Sequence, residues 1–402
     1  MSSAEPGEFE RQLYGGQTEA ELRERFPDPG GRWLAITTED GAFVSSGGTW
    51  HSAGTNQRMD AVQVDNATTA GVGSSHGYRQ TAKGGFAWSD LDWRADPENP
   101  LIEGPGTTDK GPCFGHVIHA ETVLDDPIDD WYFYWAPYKG GGDEGMYLST
   151  APEIDGPWSD SMHLFSKDDV GGGDHISSPW PVWDPANERM NLYYHRNIRY
   201  QGPQVSELVF SSDGVTGFTD GDPVSILPEK TDGSWDEDER SYLKVIRWQG
   251  GWIGLYQARD RLRNQHGIGW ARSADGVDWE ASPYPLFYSC QYANSDGRDG
   301  SGSSGTPFVV NGRLTVIYQT GTPGEPEDQQ QQPYALPWDR RNQPVLGPGE
   351  PLGLTPTQDW EGGGDARQIE SLLGPYKGRL WAFYHSLTPQ GKHAIGLASA
   401  EV

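Results

Sequence analysis

The sequence is short of cysteine and lysine, and it has no long apolar run. Cys113 and Cys290 are the only cysteines in 402 residues. Two thiols so far apart make no disulfide framework, and neither lies in a CxxC zinc pattern, so both read as small buried side chains. Only eight of the 30 basic residues are lysines, and 58 acidic residues bring the formal charge to −28. A nucleic-acid binder needs a basic footprint to displace counterions from phosphates, and this balance is the reverse. An anionic membrane surface would repel it for the same reason. No segment approaches the roughly 18–20 consecutive apolar residues of a spanning helix. The first residues, MSSAEPGEFERQ, show no basic start followed by an apolar stretch, so a cytoplasmic location is expected.

What is present is aromatic and acidic. Seventeen Trp, 18 Tyr and 12 Phe supply core-forming surface despite a hydrophobic content of 34%. An acid-rich, lysine-poor surface stays hydrated in concentrated salt, where repulsion is screened, and reads as halophilic adaptation.

A short pattern recurs along the chain: an apolar run, then Tyr, then Trp, His or Gln. It ends at Tyr134-Trp135, Tyr194-His195, Tyr256-Gln257, Tyr318-Gln319 and Tyr384-His385, with the tyrosines spaced 60, 62, 62 and 66 residues apart. Upstream of each copy lies an apolar stretch closing in a turn. Downstream lies a strand of small residues, GMYLSTAP, ELVFSSDG, GIGWARSADG and AIGLASAE, with a degenerate PYALPWD in the fourth copy. Short apolar edges follow, MHLF, PVSIL, PYPLF and PVLGP. Four antiparallel strands per repeat at this period describe an all-β propeller of five blades.

The fifth copy stops after its third strand, and Asn99-Pro100-Leu101-Ile102 supplies a lone fourth strand, so closure of the ring by that segment is expected. A sixth blade would have to use FAWSDLDW at 86–93. The division expected is an N-terminal extension over 1–98, with a charged helical arm at 19–26 and strands at WLAIT and AVQV, and the ring over 99–402. The arm leaves the chain a monomer or a homodimer.

In such a ring every inner strand starts at the same end, so the approach segments converge although they lie about 60 residues apart. Those segments are polar: GPCFGHVIHAE, GGGDHISSP, DEDERSYL, GSGSSGTP and GGGDARQIES. They gather Asp174, Glu239, His116, His119 and Glu121 as candidate catalytic groups. His175, Arg240, Asp365, Arg367, Gln368, Glu370 and Trp180 are candidates for holding substrate. Facing carboxylates suit glycoside hydrolysis, which needs an acid for the leaving oxygen and a base or nucleophile. Aromatic rings suit the C–H faces of sugars. His195 and His385 share their position with Trp135, Gln257 and Gln319 and read as blade packing. The Asp-Gly pairs at 155–156, 213–214 and 275–276 read as turns. No Walker or dinucleotide glycine pattern stands between a strand and a helix.

The motifs ENPLIEG, APEIDGPWS, SSDGVTGF and DHISSPWPVWDPANERMNLYYH resemble those of the five-bladed propeller glycoside hydrolases, glycoside hydrolase family 43 and its arabinofuranosidase and anhydrogalactosidase relatives, over about 99–402. The resemblance implies a base Asp on the first blade, a tuning Asp on the second and an acid Glu on the third. Asp174 matches the second and Glu239 the third. The first position reads His116, with Asp109 and Glu121 nearby. The partner implied is a carbohydrate. No metal ligand set is assigned and no cofactor is required, and a divalent cation such as calcium on the axis is compatible with the reading. Two alternatives stand beside hydrolysis: a propeller lyase acting on uronates through His and Arg, and a sugar-binding propeller without turnover.

Overall fold

The computed structural model describes residues 34–37, 41–46, 49–54, 88–104, 111–137, 144–199, 203–230, 232–260, 265–288, 305–310, 313–321, 331–339, 343–344, 350–354, 358–361 and 368–402. The chain divides into two compact units, Met1–Thr69 and Ala70–Val402. The first contains a three-stranded antiparallel meander, Leu34–Thr37, Gly41–Ser46 and Thr49–Gly54. The WLAIT strand lies in it, while AVQV and the helical arm fall outside the described residues.

The second unit is a propeller arrangement of four-stranded antiparallel sheets. The first sheet runs Pro112–His119, Trp131–Pro137, Gly145–Ala151, Met162–Ser166, and the second His175–Asp184, Arg189–Asn197, Gln204–Ser211, Val224–Leu227. The third has Arg240–Trp248, Gly251–Asp260 and Gln265–Ser273, with its outer edge split into Trp279–Ala281 and Phe287–Tyr288. The fourth has Thr306–Val310, Arg313–Gly321 and Gln331–Asp339, again with a split edge, Gln343–Pro344 and Glu350–Pro351. PYALPWD is thus a full strand. Its prolines lack an N–H for the ladder, which is why the repeat looks degenerate in sequence.

The fifth sheet consists of Gln368–Tyr376, Arg379–Leu387 and His393–Glu401, and its fourth member comes from upstream of the first sheet. Arg94–Ala95 pairs with Ser399 and Ala398, and Ile102 bridges Ile395. The Leu101 N–H donates to the Ile395 carbonyl at 2.8 Å. The closing segment therefore starts at Arg94, ahead of Asn99, and lies within the ring unit. Of FAWSDLDW the described part, residues 88–93, forms no strand of a further sheet: Trp88–Asp90 is a single 3-10 turn, and Trp88 and Trp93 pack with Phe308, Leu352 and Leu380. Each sheet packs on the next in chain order, and the fifth returns to the first.

The second strands sit inside their sheets with both faces covered, which is why Trp131–Pro137 is buried at every position and reads as a continuous apolar run. The interface between the fifth and first sheets stacks Val117, Phe133, Trp381, Phe383 and Ile395. Removing a large buried ring such as Phe133 from it should cost about 3–5 kcal/mol.

The Asp-Gly turns also join sheets. In the second sheet the Asp213 carboxylate accepts from the N–H groups of Val215 and Thr216 at 2.8 and 2.7 Å, and Ser211 Oγ accepts from the Gly214 N–H at 2.8 Å. The third sheet repeats this with Asp275, Ser273 and Gly276. The turn carbonyls then receive tyrosines from the preceding sheet: Tyr134 donates to Gly214 O and Tyr193 to Gly276 O, both at 2.7 Å. Glycine is required twice over here. Gly214 and Gly276 lie at φ +73° and +79°, and a Cβ would come within 2.8 Å of the Tyr134 hydroxyl at the first and 2.9 Å of the Trp252 ring at the second.

Burial pushes the Asp213 carboxyl up, but its hydrogen bonds from Thr216, Val215 and Ser211 outweigh that and hold it at about 2. A folded value below the ordinary carboxylate value of about 3.9 means that the turn stabilises fully above about pH 4. The contribution is lost as pH falls toward 2. Asp213→Asn should therefore lower the melting temperature at neutral pH and narrow the gap to wild type progressively between pH 4 and 2. A constant gap across that window would show that the carboxylate's charge is irrelevant.

Candidate functional site

Four of the five inner strands carry an irregularity near their starts. Pairing with the next strand jumps from Cys113 to His116, from Ser177 to Trp180, from Ser241 to Lys244 and from Ile369 to Ser371. Phe114, Ser178 and Tyr242, at the first three, adopt φ of 52°, 58° and 53°. A bulge leaves a residue out of the ladder and re-aims its side chain. A positive φ on a non-glycine residue costs of order 1 kcal/mol or more and persists where the surroundings enforce it. Phe114 and Tyr242 come from sheets that are not neighbours, yet their rings meet edge-on with centroids 5.2 Å apart.

Three carboxylates stand around this centre. Glu370, at the bulge of the fifth inner strand, is fully buried. Its Oε1 accepts the Phe114 N–H at 2.9 Å and pairs closely with His385 Nδ1. Its Oε2 makes no hydrogen bond among the described residues. Glu239, just ahead of the third inner strand, is buried, and its Oε1 accepts from Ser241 Oγ at 2.5 Å and Gln257 Nε2 at 2.9 Å. Asp174, just ahead of the second, is exposed. Its Oδ2 lies 3.7 Å from His175 Nδ1, and its N–H donates to the Asn197 carbonyl.

The histidines link these groups. His175 Nε2 lies 3.2 Å from His195 Nε2, and the His195 ring leans on Tyr242 at 4.5 Å. His385 meets Phe114 edge-on at 5.8 Å. Exposed Asp174 thus lies beside a pair of buried imidazoles, His175 and His195, and the second of them packs on the Tyr242 ring. His195 and His385, with Gln257, hold one equivalent position on three second strands, and each faces a polar group of its own inner strand. Packing alone does not describe them. The signal was in the sequence: only polar or aromatic residues follow the repeated tyrosine.

His116 stacks on Trp180 with centroids 3.4 Å apart, both rings buried. Lys244 Nζ lies over the Trp180 ring at 5.3 Å and donates to Thr306 Oγ1 at 3.0 Å. Trp180 is therefore flanked by an imidazole and an amine from the two adjacent sheets, and it is not an open platform for a sugar. Sequence reasoning passed over Lys244. Burial pushes its amine down to about 8, with Glu370 pulling the other way.

Arg240 is occupied. Its Nε donates to Asp236 at 3.0 Å and Nη1 to the Pro228 carbonyl, while Tyr256, Ser234 and Lys230 also converge on the Asp236 carboxylate. His119 and Glu121 are not brought to the centre. His119 ends the inner strand that begins at Pro112, which puts it and Glu121 at the opposite end of the sheet. There His119 stacks parallel on Trp131 at 4.2 Å, and burial lowers its pKa against the pull of Glu121 and Asp130. Asp365 and Arg367 fall outside the described residues, and Gln368 opens the fifth inner strand.

No protein-family model matches the chain, and no curated protein does. Solved structures do resemble it. One is a family 117 glycoside hydrolase, Zg3597, of the marine bacterium Zobellia galactanivorans: 13% identical, TM-score 0.50, covering 79% of this chain and 92% of that one. A second was described with the GH130 family of mannoside phosphorylases and its glycoside hydrolases that target β-1,2 mannosidic linkages in Candida mannan. It is 12% identical with a TM-score of 0.52, covering 80% of this chain and 96% of that one. A third is a glycosyl hydrolase from Bacteroides ovatus, 11% identical, TM-score 0.52, with the same coverage. At such identities the likeness is one of fold, and the fold is a propeller used by glycoside hydrolases.

Proposed function

We propose that this chain is a five-bladed propeller glycoside hydrolase, related to the family 43 group and adapted to high salt, which cleaves an oligo- or polysaccharide at the end of the ring where the inner strands begin. The observation that carries the reading is the convergence of Asp174, Glu239 and Glu370 on that end from three different sheets. Glu239, held by Ser241 and Gln257, is the proton donor to the leaving oxygen. Asp174, beside His175, is the tuning carboxylate. The first sheet carries His116 where a base carboxylate would be expected, and that imidazole is spent on Trp180. Glu370 fills the gap from the fifth sheet: the Phe114 N–H fixes it at the bulge of the first, and His385 orients it as base toward water. A divalent ion on the axis remains compatible with this arrangement and is not required by it.

A second reading has an observation of its own. The His175–His195–Tyr242 chain is the imidazole and phenol equipment that proton abstraction beside a uronate carboxylate needs, with elimination following. Incubating the full chain with a panel of polysaccharides and aryl glycosides in concentrated KCl separates the two. Reducing ends without ultraviolet absorbance support hydrolysis. Matching growth of both means elimination and overturns the hydrolase assignment.

A further inference from the structure

The far end of the first sheet holds a constellation that the axial chemistry does not use. His119 closes the inner strand, the chain turns through Ala120–Thr122, and Trp131 opens the second strand directly opposite His119. The Glu121 N–H donates to the Asp130 carbonyl at 3.3 Å, which pins the two acidic residues together at the mouth of the hairpin. One nitrogen of His119 and one carboxylate oxygen from each of Glu121 and Asp130 lie within 4.8 Å of one another. We propose that His119, Glu121 and Asp130 hold a divalent transition-metal ion of the zinc class, which ties the two ends of this hairpin together.

Three observations carry this. The first is geometric. His119 Nε2 and Glu121 Oε2 are 3.6 Å apart, too far for a hydrogen bond. Bonds of about 2.1 Å at a tetrahedral angle place neighbouring ligand atoms about 3.4 Å apart, so that spacing matches one edge of a coordination polyhedron.

The second is the state of the imidazole. His119 Nε2 is shielded from solvent and has no hydrogen-bond partner among the described residues. A buried polar atom left so calls for an explanation, and a metal ion is one. The ring itself is fixed, parallel to Trp131 at 4.2 Å and edge-on to Tyr376 at 5.4 Å.

The third is electrostatic. The segment from Glu121 to Asp130 carries Glu121, Asp125, Asp126, Asp129 and Asp130 and no basic residue, which concentrates cations locally. Asp129 is engaged elsewhere, accepting from Thr150 Oγ1 at 2.6 Å, whereas Asp130 faces the histidine group. One imidazole with two carboxylates favours zinc, manganese or cobalt over calcium or magnesium, which take oxygen ligands alone. The site lies at the opposite end of the inner strand from the proposed catalytic centre and is independent of the hydrolase reading.

The test uses the full chain stripped with a chelator, titrated calorimetrically with Zn2+ in concentrated KCl to suppress diffuse binding to the acidic surface. One saturable equivalent is expected, displaceable by Co2+ with visible ligand-field bands, together with a zinc-dependent rise in melting temperature. Glu121 is exposed and Asp130 half-buried, and neither Glu121→Gln nor Asp130→Asn removes volume, so both variants should leave the far-ultraviolet circular dichroism unaltered. Each should weaken zinc at least tenfold and cancel the thermal shift. Absence of a saturable equivalent in the wild type, or wild-type affinity in both variants, would overturn the proposal.

Discussion

Asp236→Ala is expected to destabilise the ring by about 3–5 kcal/mol, the range for removing one member of a buried ion pair. The carboxylate is fully buried, and four neighbours converge on it: Arg240 Nε at 3.0 Å, Tyr256 Oη at 2.9 Å, Ser234 Oγ at 2.8 Å and Lys230 Nζ at 3.3 Å. Without it the Arg240 guanidinium, itself buried against the Tyr256 ring, loses its carboxylate partner and is left with neutral groups such as the Pro228 carbonyl. Replacing both partners by apolar residues, as in Asp236→Leu with Arg240→Met, should recover most of the loss, because the charge that needed solvating is gone. Denaturant midpoints of the two variants decide it. A single variant within about 1 kcal/mol of wild type would mean that water reaches Arg240 and that the network is peripheral. Burial pushes the Asp236 carboxyl up, and Arg240 with the other three more than offsets it, so the group sits below its ordinary range. Its contribution is accordingly complete above about pH 4 and fades in acid.

Glu370→Gln should lower turnover by about 10²–10⁴-fold, the usual worth of a positioned acid or base, on whichever glycan the panel identifies. The amide is nearly isosteric and keeps an acceptor for the Phe114 N–H, so melting temperature should move little compared with the activity. Glu239→Gln should give a loss of the same order, and a small nucleophile such as azide should rescue only the variant whose missing group activates water. His385→Asn reads the positioning role: it should shift the pH dependence of turnover as well as its magnitude. Full activity in both Gln variants would remove the two carboxylates from the mechanism and leave His175, His195 and Tyr242 as the site.

Much of the architecture was legible because the repeat is written in residues that do structural work. The tyrosines spaced about 60 residues apart lie in the second strands, and the small-residue stretches are the third strands. The site was legible only in outline. The approach segments do lead into the inner strands, and Asp174, Glu239 and Glu370 stand where the segments end. The stretch around His116 reads as one unit in sequence, whereas eight residues of extended chain carry His119, and Glu121 after it, to the other end of the sheet. Arg240 looks free for substrate in the sequence, because nothing in an acidic run marks which of its members will fold back four residues onto the arginine. The bulges could not be read at all. Phe114, Ser178 and Tyr242 share no residue type, and a positive φ is set by the tertiary frame around them.

The closing of the fifth sheet has a consequence for the order of events in synthesis. Arg94–Ile102 leaves the ribosome before any of the ring's other strands, while its partner, His393–Glu401, leaves after the rest. Until then the early segment has no strand to pair with, and the third strand of the last sheet does not yet exist to receive it. Maturation of the ring is therefore all-or-none at its seam, and a nascent chain halted anywhere before residue 393 keeps two unpaired borders open to chaperones or to each other. Moving 94–102 to follow residue 401 through a short linker would make the seam local, and such a permuted chain should close faster while keeping the same centre.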